Sequence, residues 1–437
     1  GLGDLLHREP YAEWGPDEVN MVLDECYRFA TEVLGPTNQL GDRQGCRLED
    51  GQVKTPEAFE DAWKQLYEQG WRLLSVPEHL GGQGSPLTLQ AVAEELMSGA
   101  NPAFAMYPGL THGAADLIAH HGTKAQVERY AKPMFEGRYA GTMCLSEPGA
   151  GSDVGASVTA AQKVDEGVYR ITGQKIWISA GDHELAENII HLVLARIEGA
   201  EPGTKGLSLF IVPKYRLNED GSPGEPNDVQ VGGIEHKMGL NASATCQLQF
   251  GDDGACLGYL VGGIEHQGMK QMFTMMNYAR IGVGIQGLSV AAAAYLAALD
   301  FAKDRKQGAS IERWKAPTAP RVPIIQHPDV RRMLLDMKAK TEGIRALLVK
   351  LTVHQDRANA LQGKDDESAA YHTGQVELLT PLVKAYASDQ AFRVAETAIQ
   401  VHGGSGYVND YPVEQAARDS KVFSIYEGTN HIQADRK

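Results

Sequence analysis

Apolar positions fall into three successive patterns along this chain. Up to about residue 140 they recur at helical spacing. Pro56 to Gly70 carries Phe59, Trp63, Leu66 and Tyr67 on one face, with Gly70 as a stop, and Leu87–Met97 and Ala125–Phe135 repeat the pattern. Pro77, Gly81, Gly82, Gly84, Pro102 and Gly109 punctuate these units. From about 141 to 265 the runs become short and rich in β-branched and aromatic residues. Tyr169–Thr172, Lys175–Ser179, Asn188–Leu194 and Leu207–Val212 predict strands separated by glycine-containing turns, in a barrel or a sandwich. The polar stretch Asn218–Asp228 reads as an exposed loop. From about 266 the spacing is helical again. Segments 269–304, 328–362 and 368–402 are long enough for an antiparallel bundle, and a shorter helix follows at roughly 412–422. Ala309–Pro323 is an irregular connector, and Gln362–Ser368 a charged turn.

Ile281–Leu299 contains no charge, which makes it the one stretch to test as a membrane span. Its alanines and glycines, with Gln286 and Ser289, instead predict a buried bundle helix, and no integral membrane segment is expected.

The 437 residues suggest about three domains, taken as 1–140, 141–265 and 266–437. Hydrophobic residues make up 43% and charged residues 22%, enough for an ordinary core. Lys+Arg is 41 and Asp+Glu is 56, a net charge of −15, which disfavours nucleic acid and anionic lipid. Cys26, Cys46, Cys144, Cys246 and Cys256 are odd in number and lack a CxxC spacing, so they predict reduced thiols. His7, His112, His120, His121, His183 and His236 show no ligand spacing, so no metal is expected and each reads as a surface or packing histidine. No basic-then-apolar leader opens the chain, and Gly1 reads as a processed or trimmed start.

Four segments could carry chemistry. Gly282, Gly284 and Gly287 match GxGxxG as a string, but a helical pattern precedes them where a strand is needed, so they read as small residues on a crowded helix face. Cys144–Asp153 is a glycine-rich turn with hydroxyls and carboxylates at fixed offsets; it is a ligand loop or a plain connector. Gln400–Pro412 holds two adjacent glycines after a helix, which is a cap or a close approach to a ligand. In Ser424–Asn430, Glu427 lies between apolar Ile425, Tyr426 and small Gly428. Such surroundings raise a carboxyl pKa toward that of a general base, although a lone Glu is more often a solvated residue.

Together these segments resemble the acyl-CoA dehydrogenase family over essentially the whole chain. CLSEPGAGSDVGA at 144–156 and QVHGGSGYVNDYPVEQAARD at 400–419, followed by IYEGT at 425–429, carry the resemblance. Gln415 departs from the usual Lys or Arg, which bears on one surface or interface contact. Tyr107–Gly113, Asn188–Leu194, Met272–Asn277 and His327–Leu335 are similar to a larger bacterial branch, which includes a dehydrogenase of a thioether acyl-CoA. That branch continues into a further helical domain after IYEGT, so the ending at Lys437 reads as shortened.

The resemblance implies an α+β fold with an N-terminal helical domain, a middle β-barrel domain and a C-terminal four-helix bundle. It implies FAD as cofactor and α,β-desaturation of an acyl-CoA thioester to a trans-2-enoyl-CoA. Met143, Leu145, Ser146, Gly151 and Ser152 would line the flavin, with Ser152 also meeting the thioester arm. Trp177, Ile178 and Ser179 form the second flavin segment. Arg305, Gln400, Gly403, Gly404 and Thr429 would meet the pyrophosphate and adenosine end, Arg305 doing so in a neighbouring subunit. Asn277, Arg280, Tyr426 and Gly428 would contact the substrate. Of the family's two base positions, one is Ala279 here, which leaves Glu427. A Glu at that position argues against nitroalkane oxidases, which carry Asp, and against a desulfinase branch that lacks the carboxylate. The implied partners are an electron-transferring flavoprotein and copies of the chain in a homodimer or homotetramer. The implied location is the bacterial cytoplasm, or the mitochondrial matrix in a eukaryote. An acyl-CoA oxidase using dioxygen, and a non-catalytic flavin-binding assembly protein, are the competing readings. The Met-rich run 269–276 lines an acyl pocket or fills the core.

Overall fold

A computed structural model describes residues 2–7 and 9–434. The expectations of a processed or trimmed start at Gly1 and of a shortened ending at Lys437 fall outside the described residues. The chain packs into two units, Val33–Pro86 with Ala103–Ala279, and Gly1–Glu32 with Leu87–Pro102 and Arg280–Lys437.

The strand-rich unit is organised around one shared strand. Its sheet comprises β1 (Tyr139–Cys144), β2 (Ala160–Asp165), β3 (Val168–Ser179), β4 (Asn188–Ile197), β5 (Leu207–Pro213), β6 (Val229–Ile234), β7 (Thr245–Phe250) and β8 (Leu257–Leu260). The first half of β3 pairs with β2 on one side and β8 on the other. β8 pairs with β5, β5 with β4, and β4 returns to β2, so five strands close a small barrel. β1 lies parallel to β4, and β7 and β6 extend the second half of β3. Residues 188–195 and 207–213 are buried throughout, which explains why β4 and β5 are mostly apolar rather than alternating. Leu192, Leu194, Leu209 and Ile211 pack with Ile118, Met134, Phe135, Met272 and Met275 in one core. Each such side chain contributes about 1.5–3 kcal/mol of transfer free energy. Met272 and Met275 are thereby core residues.

The helical unit contains α1 (Pro16–Phe29) and α2 (Leu87–Ala100). α3 (Gly268–Asp304) enters it from Arg280 onward. The unit continues through α4 (Pro328–Leu361), α5 (Asp366–His402) and α6 (Val413–Ser420). Leu288, Ala291, Ala294, Leu348, Leu351, Val383, Ala387 and Val394 form the bundle core. Gly284 and Gly287 face α5: a Cβ on Gly287 would lie 2.9 Å from the Ala387 backbone, and one on Gly284 2.6 Å from Val383. Gly284 and Gly287 of the GxGxxG string are therefore a helix–helix contact, as expected, whereas a Cβ on Gly282 would meet nothing within 4 Å. α3 alone among the described helices is long and apolar enough to cross a bilayer, and most of that stretch is buried in the fold. Asp356 of α4 is fully buried. It accepts from the Leu87 and Thr88 N–H groups at 2.7 and 3.0 Å and from the Thr88 hydroxyl at 2.6 Å. The Tyr11 hydroxyl adds a bond at 3.3 Å, so one carboxylate caps the start of α2 and ties down the N-terminal segment.

Four expectations need correction. Tyr169–Thr172 and Lys175–Ser179 form one strand, not two joined by a turn. Gly173 takes φ +153 where β3 changes partners, and a Cβ there would meet Thr159 at 2.6–2.9 Å, so glycine permits a close crossing. The polar stretch 218–228 contains a strand, Pro223–Pro226, which pairs with Tyr215–Leu217 as a hairpin despite its prolines. The charged turn at 362–368 is shorter than expected, because Asp365 caps α5 and accepts from Ser368 N at 3.1 Å. Gln415 is not a surface residue: it is 5% exposed, and its Nε2 donates to Asp419 at 3.2 Å along α6.

Candidate functional site

In the helical unit, the chain leaves a short 3-10 turn at Lys421–Ser424 and makes a left-handed turn at Glu427 and Gly428, with φ of +56 and +82. A non-glycine residue in this region costs about 1–3 kcal/mol, so the surroundings must hold it. They do so at each residue. The Tyr426 hydroxyl donates to Gln286 of α3 at 2.5 Å. The Gln433 amide donates to the Glu427 carbonyl at 3.2 Å. The Lys384 ammonium of α5 donates to the Gly428 carbonyl at 2.7 Å and to Asn430 Oδ1 at 3.0 Å.

Glu427 is half-buried. Desolvation raises its pKa to about 7, with the Arg280 and Lys384 cations pulling the other way. Arg280 of α3 is 2% exposed. Lys384 is lowered to about 8, chiefly by burial, with Glu427 opposing that shift. Tyr426, desolvated and next to Glu427, is pushed well above the ordinary phenol range. A carboxyl poised near neutrality beside buried cations can take a proton from carbon and hold it.

In the strand-rich unit, β1 runs into the glycine-rich loop, which an ion pair pins from inside. Lys175 of β3 donates to Glu147 Oε1 at 2.8 Å and to the Leu145 carbonyl at 2.9 Å. Glu147 also accepts from the Val158 and Thr159 N–H groups at 2.7 and 3.1 Å, which closes the far end of the loop. Burial alone would raise the Glu147 carboxyl, but the Lys175 cation and these donors hold it below its usual value. Burial lowers Lys175 despite Glu147. The Ser146 carbonyl accepts from Ile176 N at 2.9 Å and joins the loop to β3. The register of β3 against β7 shifts between Cys246 and Leu248, a bulge at which Trp177 adopts φ +60 and is left 59% exposed.

These features fit a flavin. An exposed aromatic face suits a flat ring, and Met143, Leu145, Ser146 and Ser179 are partly exposed around the two segments. Gly151 and Ser152 lie exposed in the loop, where a Cβ on Gly151 would meet nothing. Ile178 is buried, 2% exposed, in the half of β3 that pairs with β7. The structure brings Arg280, Tyr426, Glu427 and Gly428 together in one unit, and Leu145, Ser146 and Trp177 in the other. Asn277 is exposed on α3. Arg305, just past the end of α3, is exposed, as are Gln400, Gly403 and Gly404 at the end of α5. These four stand outside the base cluster. Thr429 is half-buried, and its carbonyl accepts from Gln433 N at 3.2 Å. No group of three or more His, Cys, Asp or Glu able to hold a metal occurs among the described residues.

The sequence reading missed Lys384, Asn430, Gln433 and the Glu147–Lys175 pair. Lys384 and Lys175 look like solvated lysines in one dimension, and only their burial reveals them. The reading also missed the Arg72 guanidinium, which donates to the Tyr278 hydroxyl at 2.7 Å while the Tyr278 ring stacks on buried His112.

Profiles of the acyl-CoA dehydrogenase N-terminal, middle and C-terminal domains match residues 16–138, 142–252 and 266–436. The chain is 41% identical over 427 residues to a 3-methylmercaptopropionyl-CoA dehydrogenase of Ruegeria pomeroyi, covering 98% of this chain and 71% of that protein. It is 42% identical over 441 residues to the broad-specificity linear acyl-CoA dehydrogenase FadE5 of Mycobacterium tuberculosis, covering 99% and 71%. Among solved structures it is similar to butyryl-CoA dehydrogenase from Megasphaera elsdenii, with a TM-score of 0.76, 28% identity and coverage of 96% and 97%.

Proposed function

The chain belongs to the acyl-CoA dehydrogenase family, and from that premise we propose that it desaturates an acyl-CoA thioester at Cα–Cβ with Glu427 as the base. The observation that supports this role is the carboxyl of Glu427, raised to about 7 on a turn fixed at three consecutive residues. Near pH 7 such a carboxylate is a stronger base than a solvated one and still exists largely ionised above that pH. It takes the α-proton, while the thioester carbonyl, on which negative charge develops, is met by the backbone N–H of residue 427. FAD, when bound, supplies the acceptor for the hydride leaving the β-carbon. Arg280 keeps a positive charge within the field of the carboxylate and limits how far burial raises it. Trp177 and the pinned loop at 145–158 would hold the ring in place and exclude water from its face.

The proposed electron acceptor is an electron-transferring flavoprotein, and the proposed assembly is homo-oligomeric. Anaerobic addition of butyryl-CoA and of longer and thioether acyl-CoA thioesters, followed by loss of flavin absorbance, tests the activity and ranks substrates. Glu427→Gln is expected to retain FAD and lose bleaching; a variant that still bleaches removes Glu427 from the role. Reoxidation by air as fast as by the flavoprotein would overturn the choice of acceptor in favour of an oxidase.

A further inference from the structure

A lysine with none of its surface exposed is costly to bury, and Lys384 is such a residue. Its surroundings on α5 are the apolar bundle core around Val383 and Ala387. The acceptors that satisfy its ammonium are both neutral, the Gly428 carbonyl at 2.7 Å and Asn430 Oδ1 at 3.0 Å. Asn430 is itself fixed. Its Nδ2 donates to Asp389 at 2.7 Å, to Ser388 Oγ at 3.0 Å and to the Ala385 carbonyl at 3.2 Å. One turn of α5 therefore clamps the residue just after the Glu427–Gly428 turn. A neutral amide could donate the same two hydrogen bonds without the cost of burying an ion. What it could not supply is a charge.

We propose that Lys384 is a positioning residue for the base, pinning the left-handed turn through the Gly428 carbonyl while keeping a cation in the field of Glu427. This rests on the assignment of Glu427 as the base. The charged groups that act on that carboxyl are Arg280 on α3 and Lys384 on α5; Tyr426 adjoins it in the turn, Asp389 on α5 acts on Lys384, and Asp419 on α6 acts on Tyr426. Only Arg280 and Lys384 are cations. Removing one leaves desolvation opposed by the other alone, so the carboxyl becomes harder to ionise.

The test uses the FAD-loaded enzyme and butyryl-CoA as probe, reading kcat/KM for flavin bleaching against pH. Lys384→Gln keeps a donor and drops the charge. Its acid-limb midpoint is expected to rise by about one pH unit, a size typical of losing one nearby opposite charge. Activity at pH 6 should then fall about tenfold and recover toward pH 9. A merely structural role would lower the rate at every pH and leave the midpoint in place; that result overturns the proposal. Asn430→Ala keeps the cation and loosens the clamp, so it should lower the rate with the midpoint fixed. An equal midpoint shift in Asn430→Ala would also overturn the proposal. Should Lys384→Gln fail to fold, Lys384→Arg, which keeps the charge with altered reach, must retain the wild-type midpoint; a shifted midpoint there counts against the proposal. Glu427→Gln run in parallel separates the two claims. Bleaching that survives in it refutes the base assignment, whereas an inactive Glu427→Gln beside an unmoved Lys384→Gln midpoint refutes only the role of Lys384.

Discussion

Lys175 donates to Glu147 at 2.8 Å with neither side chain more than 3% exposed, and the pair holds both ends of the loop between β1 and β2. Losing one partner leaves the other as an uncompensated buried charge. Lys175→Met is expected to destabilise the fold by about 3–5 kcal/mol. The double variant Glu147→Gln, Lys175→Met should recover part of that loss. Thermal unfolding of the three proteins checks the order. FAD content should fall with stability in the single variant, because the pinned loop carries Leu145 and Ser146.

The acid limb of turnover follows from Glu427. Its carboxyl is raised to about 7, so kcat/KM should fall as pH drops through that value. The stability consequence has the opposite sign. A carboxyl with a raised folded-state pKa penalises the fold when ionised, so this contribution improves as pH falls from about 7 toward the unfolded value near 4.3. Glu427→Gln should therefore unfold at a higher temperature than wild type at pH 8 and lose that advantage at pH 5. A melting temperature insensitive to the substitution at pH 8 would contradict the desolvated, destabilised carboxylate.

Asp356→Asn should cost about 1–3 kcal/mol, because its amide nitrogen turns a donor toward the N–H of either Leu87 or Thr88 in a fully buried site. Denaturant midpoints measure it. Thr88→Val removes one of the same bonds, and the two losses should not add, since both act on one carboxylate.

Gly287→Val tests the helix contact. A Cβ already falls 2.9 Å from the Ala387 backbone, so a branched side chain must push α3 and α5 apart. A loss of about 1–3 kcal/mol is expected from overpacking. Gly282→Ala on the same helix meets nothing within 4 Å and should be neutral or slightly stabilising.

The bundle was legible because helical periodicity is local: α3, α4 and α5 lie within a few residues of where the apolar spacing puts them. Glu427 was legible as a candidate because its sequence neighbours are also its neighbours in space. What stayed hidden depends on distant partners. The continuity of β3 through Gly173 needs Thr159 on a crossing segment. The burial of Lys384 needs residues 428 and 430 to dock on its helix from more than forty positions away, and a single lysine in a helical pattern gives no sign of that. The hairpin at 215–226 runs against the strand propensities of its own Pro and Gly residues. The inward turn of Gln415 reflects α6 packing, where a family consensus would put a charge.

All five cysteines are unpaired thiols, and four of them are buried; Cys46 is the half-buried exception. Burial pushes Cys26, Cys144, Cys246 and Cys256 up to about 12, which leaves almost no thiolate at neutral pH. An alkylating reagent thus meets a chain whose sulfur chemistry is gated by structural opening. Cys26 reports on the helical unit and the other three on the strand-rich unit, so the labelling times of individual peptides would show whether the two units breathe together or one at a time.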